Sequence, residues 1–186
     1  MTTQTANPAS AHQRLAAFLT GKTPERVFVE PTCHPALPTG FCFCEQSPLA
    51  VFRLAWRGFW LETLLRLPWN GPKLWYLRRL GAKIGNNVYI SASAWIDPLF
   101  PQLLTIEDQV FIGMGARILT HEFRVDQFRA GKVVLRSGAF IGAFSVIGSG
   151  IEVGNNATVA ACAVVGRDVP AQATAIGNPA TMVPRM

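Results

Sequence analysis

From Ile84 onward, aliphatic residues return every six positions, a spacing that matches neither the 3.6-residue period of a helix nor the alternation of a simple strand. The register reads "IGNNVY", "ISASAW", "IDPLFPQLLT" with four extra residues, "IEDQVF", "IGMGAR" and "ILTHEF". After a break come "LRSGAF", "IGAFSV", "IGSGIE", "VGNNAT", "VAACAV" and "VGRDVP". The first position of all twelve units is Ile, Leu or Val, the second is Gly in six, and the fifth is usually Val, Ala or Ser. This predicts a mainly β, solenoidal fold in which each unit supplies one short strand and a corner, and three units, eighteen residues, close a triangular coil. Positions one and five point inward, each stacked on its equivalent eighteen residues away. Glycine at position two is expected to serve a tight corner, where a side chain or a negative φ would be costly.

The N-terminal part follows a different pattern. "PLAVFRLAWRGFWLETLLRLPW" (48–69) predicts a helix over about 48–67, opened by Ser47-Pro48 and closed by Pro68 and Asn70-Gly71-Pro72. On a helical wheel Phe52, Trp56, Phe59 and Trp60 fall on one side and Leu54, Leu61 and Leu65 nearly opposite, so the helix has two apolar faces to bury. One face suits its own domain. The other calls for more of the same protein, a neighbouring subunit or a bilayer surface, with packing inside the protein the preferred expectation. A second helix is expected over about 72–80. The chain divides accordingly into an N-terminal extension, 1–83, and a solenoid domain, 84–186.

Charge follows that division. Residues 1–83 hold ten Lys or Arg against four Asp or Glu, whereas 84–186 hold seven of each sign, so the whole net charge of +6 is N-terminal. The cluster from Arg53 to Lys83 would attract an anion, whether nucleic acid, acidic lipid or a phosphorylated substrate, or would simply be a solvated face. Arg53, Arg57, Glu62 and Arg66 interrupt the longest apolar run too often for a membrane span. The first residues lack the basic segment and apolar core of a secretory signal. Cys33, His34, Cys42 and Cys44 offer zinc-ligand chemistry, but their spacing fits no common finger, and reduced thiols with no metal are expected. Cys162 reads as a small core residue.

The repeat fails after "ILTHEF". Its next unit should begin at residue 124 but begins at Leu135, so a loop over about 120–134 leaves the coil beside His121. A loop leaving a rigid scaffold next to a histidine is a natural place for chemistry.

The repeats, the "THEF" break and the closing "VPAQATAIGNPATMV" resemble the hexapeptide-repeat acyltransferases, a family that includes galactoside, maltose and nodulation-factor O-acetyltransferases. The resemblance covers about residues 80–186. It implies a left-handed parallel β-helix, a homotrimer with active sites between subunits, acetyl-CoA as donor, no metal and no nucleic-acid partner. His121 would be the general base that takes the acceptor proton and then protonates the departing thiolate, with no acyl-enzyme. Glu122, its neighbour in sequence, and Asp97, about one coil earlier, are the candidates to orient the imidazole. Glu122 is taken with His121 as catalytic, and Asp97, which could instead bind acceptor hydroxyls, joins Ser91 and Met114 as substrate-binding. Ser91 stands where the galactoside enzymes usually have asparagine. Phe140, Ala143, Ala161, Gly166, Arg167 and Arg185 match positions along the CoA arm and near its phosphates or adenine.

The expected activity is O-acetylation of a sugar, a nucleotide- or lipid-linked precursor of a surface polysaccharide, by a cytoplasmic enzyme whose helices over 48–80 touch the membrane surface. N-acylation of an amino-sugar is the nearest alternative, and a non-catalytic scaffold ranks below it. A γ-type carbonic anhydrase shares the solenoid but needs three zinc-binding histidines, and the repeats hold one.

Overall fold

The computed structural model describes residues 8–31, 48–124 and 127–184, so the Cys33, His34, Cys42 and Cys44 group and Arg185 lie outside the described residues. Helix α1 (Pro8–Leu19), strand β1 (Val27–Pro31) and helices α2 (Pro48–Arg66) and α3 (Asn70–Arg79) precede the repeats. The repeats then pass in rotation through three parallel sheets. The first contains β2 (Lys83–Ile84), β5 (Leu104–Ile106), β10 (Val133–Leu135) and β13 (Glu152–Val153). The second contains β3 (Tyr89–Ile90), β6 (Phe111–Ile112), β11 (Phe140–Ile141), β14 (Thr158–Val159) and β16 (Ala173–Ile176), and ends in β17 (Thr181–Pro184), which folds back antiparallel on β16. The third contains β4 (Trp95–Ile96), β7 (Arg117–Ile118), β12 (Val146–Ile147) and β15 (Val164–Val165).

The core is made of like residues stacked coil on coil. Ile90 pairs in register with Ile112, Ile112 with Ile141 and Ile141 with Val159, all buried. Of these steps only Ile141 to Val159 keeps the eighteen-residue offset. The extra residues after Ile96 and the excursion after Ile118 lengthen the earlier steps without moving the register. The small or apolar fifth positions, among them Val88, Ala94, Val110, Ala116, Ala139 and Ala157, fill the remaining interior.

The corners correct the expectation about glycine. Left-handed backbone occurs at position four, as at Asn87 (φ 53°), Phe144 (φ 57°) and Cys162 (φ 61°), and not at position two. The position-two glycines answer to crowding instead. A Cβ on Gly113 would lie 2.7 Å from the Ala143 nitrogen, one on Gly142 2.5 Å from the Ala161 nitrogen, and one on Gly154 2.4 Å from the Ala171 nitrogen. The next coil's backbone passes too close for a side chain. Cys162 is likewise corrected: it sits exposed on a corner, not in the core.

Helix α3 closes the first coil, whose strand edge would otherwise be unpaired. The Asn70 side-chain amide donates to the Val88 carbonyl at 2.6 Å and accepts from the Ile90 N–H at 3.0 Å, in place of a neighbouring strand. Lys73 is buried and donates to the Ile90 carbonyl at 2.8 Å, and that burial lowers its pKa. Leu61 and Leu65 of α2 and Leu77 of α3 join the solenoid core.

The segment that leaves the coil forms β8 (His121–Phe123) and β9 (Gln127–Gly131), an antiparallel pair extended by β1 on the far side of β9. This small sheet has its own core of Leu15, Phe18, Phe28, Phe100, Leu103, Phe128 and Ala130. Lys132 ties it to the preceding loop by donating to the Thr23 and Glu25 carbonyls at 3.1 and 2.7 Å, and the Arg26 Nε donates to the Gly150 carbonyl at 2.8 Å. Among the described residues no helix is long and apolar enough to cross a membrane.

Candidate active site

Both departures from the repeat leave the same corner of the prism, between the third sheet and the first. Asp97 follows Ile96 there, Thr120 and His121 follow Ile118 one coil later, and Ser149 follows Ile147 on the next. Stacking therefore brings together residues that the sequence separates.

Asp97 is fully buried, and its carboxylate is held on both oxygens. One accepts from the Leu99 N–H at 2.9 Å, and the other accepts from the Thr120 N–H at 3.0 Å, the Thr120 hydroxyl at 2.8 Å and the His121 ring at Nδ1. Burial alone would raise the Asp97 pKa. The hydrogen bond and charge of His121, the Leu99 N–H and the Thr120 hydroxyl outweigh it and hold the carboxyl below its ordinary value. A carboxylate accepts only from a protonated Nδ1, so the pairing leaves Nε2 as the ring's free lone pair. The imidazole is 18% exposed and stands edge-on to Phe100 and Phe123, at centroid distances of 5.8 and 5.0 Å. It is fixed on one side and open to a ligand on the other.

Glu122 does not orient His121. Its Oε1 accepts from the Ser149 N–H and hydroxyl, at 3.1 and 2.8 Å, and so ties β8 to the third coil. Of the two candidate carboxylates it is Asp97 that bonds the imidazole, and, being fully buried, Asp97 is not an open acceptor-binding group. A side chain in β8 alternates across the strand, so the neighbour of His121 in sequence points away from it.

The remaining predicted residues divide between two places. Gly166 and Arg167 lie exposed on the His121 corner, two coils further along, with open space beside Gly166. Ser91, Met114, Ala143 and Ala161 line the opposite edge of the third sheet, where the Phe144 N–H donates to the Met114 carbonyl and the Cys162 N–H to the Ala143 carbonyl, both at 2.9 Å. Phe140 lies on the second sheet, stacked at 5.2 Å on Phe111, which stacks at 5.2 Å on Tyr89. Within one chain the third sheet separates these groups from His121.

Sequence reasoning missed Thr120, Ser149, Phe100 and Phe128, and with them the part played by β1. Thr120 stands inside "THEF" and Phe100 inside the lengthened unit "IDPLFPQLLT", and their register beside Asp97 was the available signal. No local signal pairs β1 with β9. Among the described residues no group of three or more His, Cys, Asp or Glu is placed to hold a metal ion.

The family model for the bacterial transferase hexapeptide (six repeats) matches residues 132–167. The Bacillus subtilis (strain 168) protein YvoF, named as an acetyltransferase, is 32% identical over 117 residues, covering 62% of this chain and 68% of YvoF. Among solved structures, the hexapeptide-repeat acetyltransferase VCA0836 of Vibrio cholerae, in complex with acetyl-CoA, superposes with a TM-score of 0.61 at 20% identity, over 75% of this chain and 90% of its own. A maltose O-acetyltransferase from Clostridium difficile 630 superposes with a TM-score of 0.52 at 20% identity, over 72% and 88%.

Proposed function

The chain belongs to the bacterial hexapeptide-repeat transferases, and on that premise we propose that it is an acetyl-CoA-dependent O-acetyltransferase acting on a sugar hydroxyl. The observation that carries this reading is the buried Asp97 carboxylate bonded to Nδ1 of a half-open His121.

His121 Nε2 takes the proton of the acceptor hydroxyl as its oxygen attacks the thioester carbonyl. The tetrahedral intermediate collapses by breaking the carbon–sulfur bond, and the imidazolium returns the proton to the CoA thiolate. The ester and free CoA leave, and His121 ends as it began. The ionised Asp97 fixes the tautomer and stabilises the imidazolium between the two transfers, without itself taking the proton. Ser91 and Met114 would contact acceptor, and Phe140, Ala143, Ala161, Gly166, Arg167 and Arg185 the donor.

His121, with Gly166 and Arg167, sits on one edge of the third sheet and Ser91, Met114, Ala143 and Ala161 on the other, so a single copy offers only half of a groove. That division supports a homotrimer of left-handed β-helices in which the His121 corner of one copy faces the Ala143–Ala161 edge of the next. The enzyme would work in the cytoplasm, where acyl-CoA is available, and 84–186 would carry the reaction.

The test pairs calorimetric titration of acetyl-CoA with an acetyl-transfer assay over neutral and amino-sugars, on the wild type and on His121→Ala. The reading expects saturable binding by both proteins and a loss of turnover of about 10²–10⁴-fold in the variant. Absence of donor binding, or a variant as active as the wild type, sinks it.

A further inference from the structure

Helix α2 buries only one of its two apolar faces. Leu61 and Leu65 face the solenoid, whereas Leu49, Phe52, Trp56, Phe59 and Trp60 form an exposed stripe on the opposite side. The rings pack on one another, with Trp56 at 6.2 Å from Phe52 and 5.8 Å from Trp60, so the stripe is a continuous aromatic surface. Trp69, just before α3, and Trp75 within it are exposed as well. A patch of this kind marks an interaction site.

Its charge narrows what can cover it. Arg53 and Arg66 flank the stripe, and Arg79 and Lys83 follow, all exposed; among the described residues none of the four is in an ion pair. Glu62 is the single acid between Arg53 and Lys83. A second copy of the chain is a poor complement, because the described acids of its solenoid are already engaged, Asp108 by the Asn86 N–H among them. Glu107 and Glu152 hold Arg136, Asp168 holds Arg26, Asp97 holds His121, and Glu122 holds Ser149. Two copies meeting through this stripe would set arginine against arginine. Tryptophan with arginine at its margin suits the interface of a bilayer, where the ring sits at headgroup level and the guanidinium meets phosphate.

We propose that the outer face of α2, with Trp69 and Trp75, docks on an anionic lipid surface. Docking there leaves the solenoid accessible, since α2 packs through its other side; a Cβ at Gly58 would lie 3.8 Å from Pro98, next to Asp97. The His121 corner would then stand close to the membrane. This proposal rests on the helix alone and does not depend on the catalytic reading.

The test is co-sedimentation of the full chain with vesicles of phosphatidylcholine alone and of phosphatidylcholine mixed equally with phosphatidylglycerol, at low and high salt. Binding to the mixed vesicles that weakens with salt is expected. Arg53→Gln with Arg66→Gln should weaken it about thirtyfold, and Trp56→Gln with Trp60→Gln at least about tenfold. Circular dichroism should match the wild type in both, because these side chains are exposed. Failure of the wild type to bind anionic vesicles overturns the proposal, as does binding that survives both double variants. A change of oligomeric mass in the tryptophan variant also overturns it, by showing that a second copy covers the stripe.

Discussion

The solenoid and the small sheet over His121 are built on opposite plans. In the solenoid the inward aliphatic residues stand on other aliphatic residues, Ile90 on Ile112 on Ile141, and the stack grows by nearest-neighbour contact. The small sheet has no repeat. Its core joins Leu15 and Phe18 of α1, Phe28 of β1, Phe100 and Leu103 of the first excursion, and Phe128 of the second. The solenoid supplies a fixed corner on which Asp97 and Thr120 are stacked. The second core supplies the aromatic wall of His121 and closes only when the N-terminal segment lies across β9. Stability is spread over many equivalent contacts in the one region, and in the other it depends on a few long-range ones.

The largest effect should come from Phe128→Ala, which removes the centre of the second core at a cost of about 3–5 kcal/mol. Hydrogen exchange should show β8 and β9 opening while the solenoid amides stay protected. A fall in protection throughout the chain would instead make the two regions one cooperative unit.

Asp97→Asn should lower kcat on the order of 10²-fold, about 2.7 kcal/mol, with the affinity for acetyl-CoA retained. The same residue makes a pH prediction. Because its folded pKa is depressed, its contribution to stability is full above the ordinary carboxylate range and is lost as pH falls through the lower folded value. Denaturant melts in acid should therefore be flatter with pH for Asp97→Asn than for the wild type.

Ile141→Val tests the repeat and should cost about 0.5–1.5 kcal/mol of global stability, read from the denaturation midpoint, with activity unchanged. The smallest change is expected from Glu122→Gln. A glutamine oxygen can still accept from Ser149, so kcat should stay within about threefold of the wild type. A loss as large as that of Asp97→Asn would return Glu122 to the imidazole.

Much of the solenoid could be read from the residues, because a period of six over twelve units specifies which side chain is inward without any long-range information. His121 was legible as the point where that period breaks. Its partner was not, because Glu122 and Asp97 are equally good carboxylates in sequence, and only strand alternation and the stacking of coils select Asp97. The glycines show the same limit. Their positions were legible, but the reason for them, a neighbouring coil's backbone within 2.7 Å of a would-be Cβ at Gly113, belongs to the assembled coil.

The sequence by itself determined the repeat, the inward residues and the place where the coil is interrupted, since each follows from the local alternation of apolar and polar positions. Only the tertiary structure decided that both interruptions share one corner, that Asp97 there is buried against His121, that β1 extends the small sheet on the far side of β9, and that the aromatic face of α2 stays open. Those outcomes depend on which distant segments come within contact distance, and a one-dimensional pattern of hydrophobicity carries no measure of that.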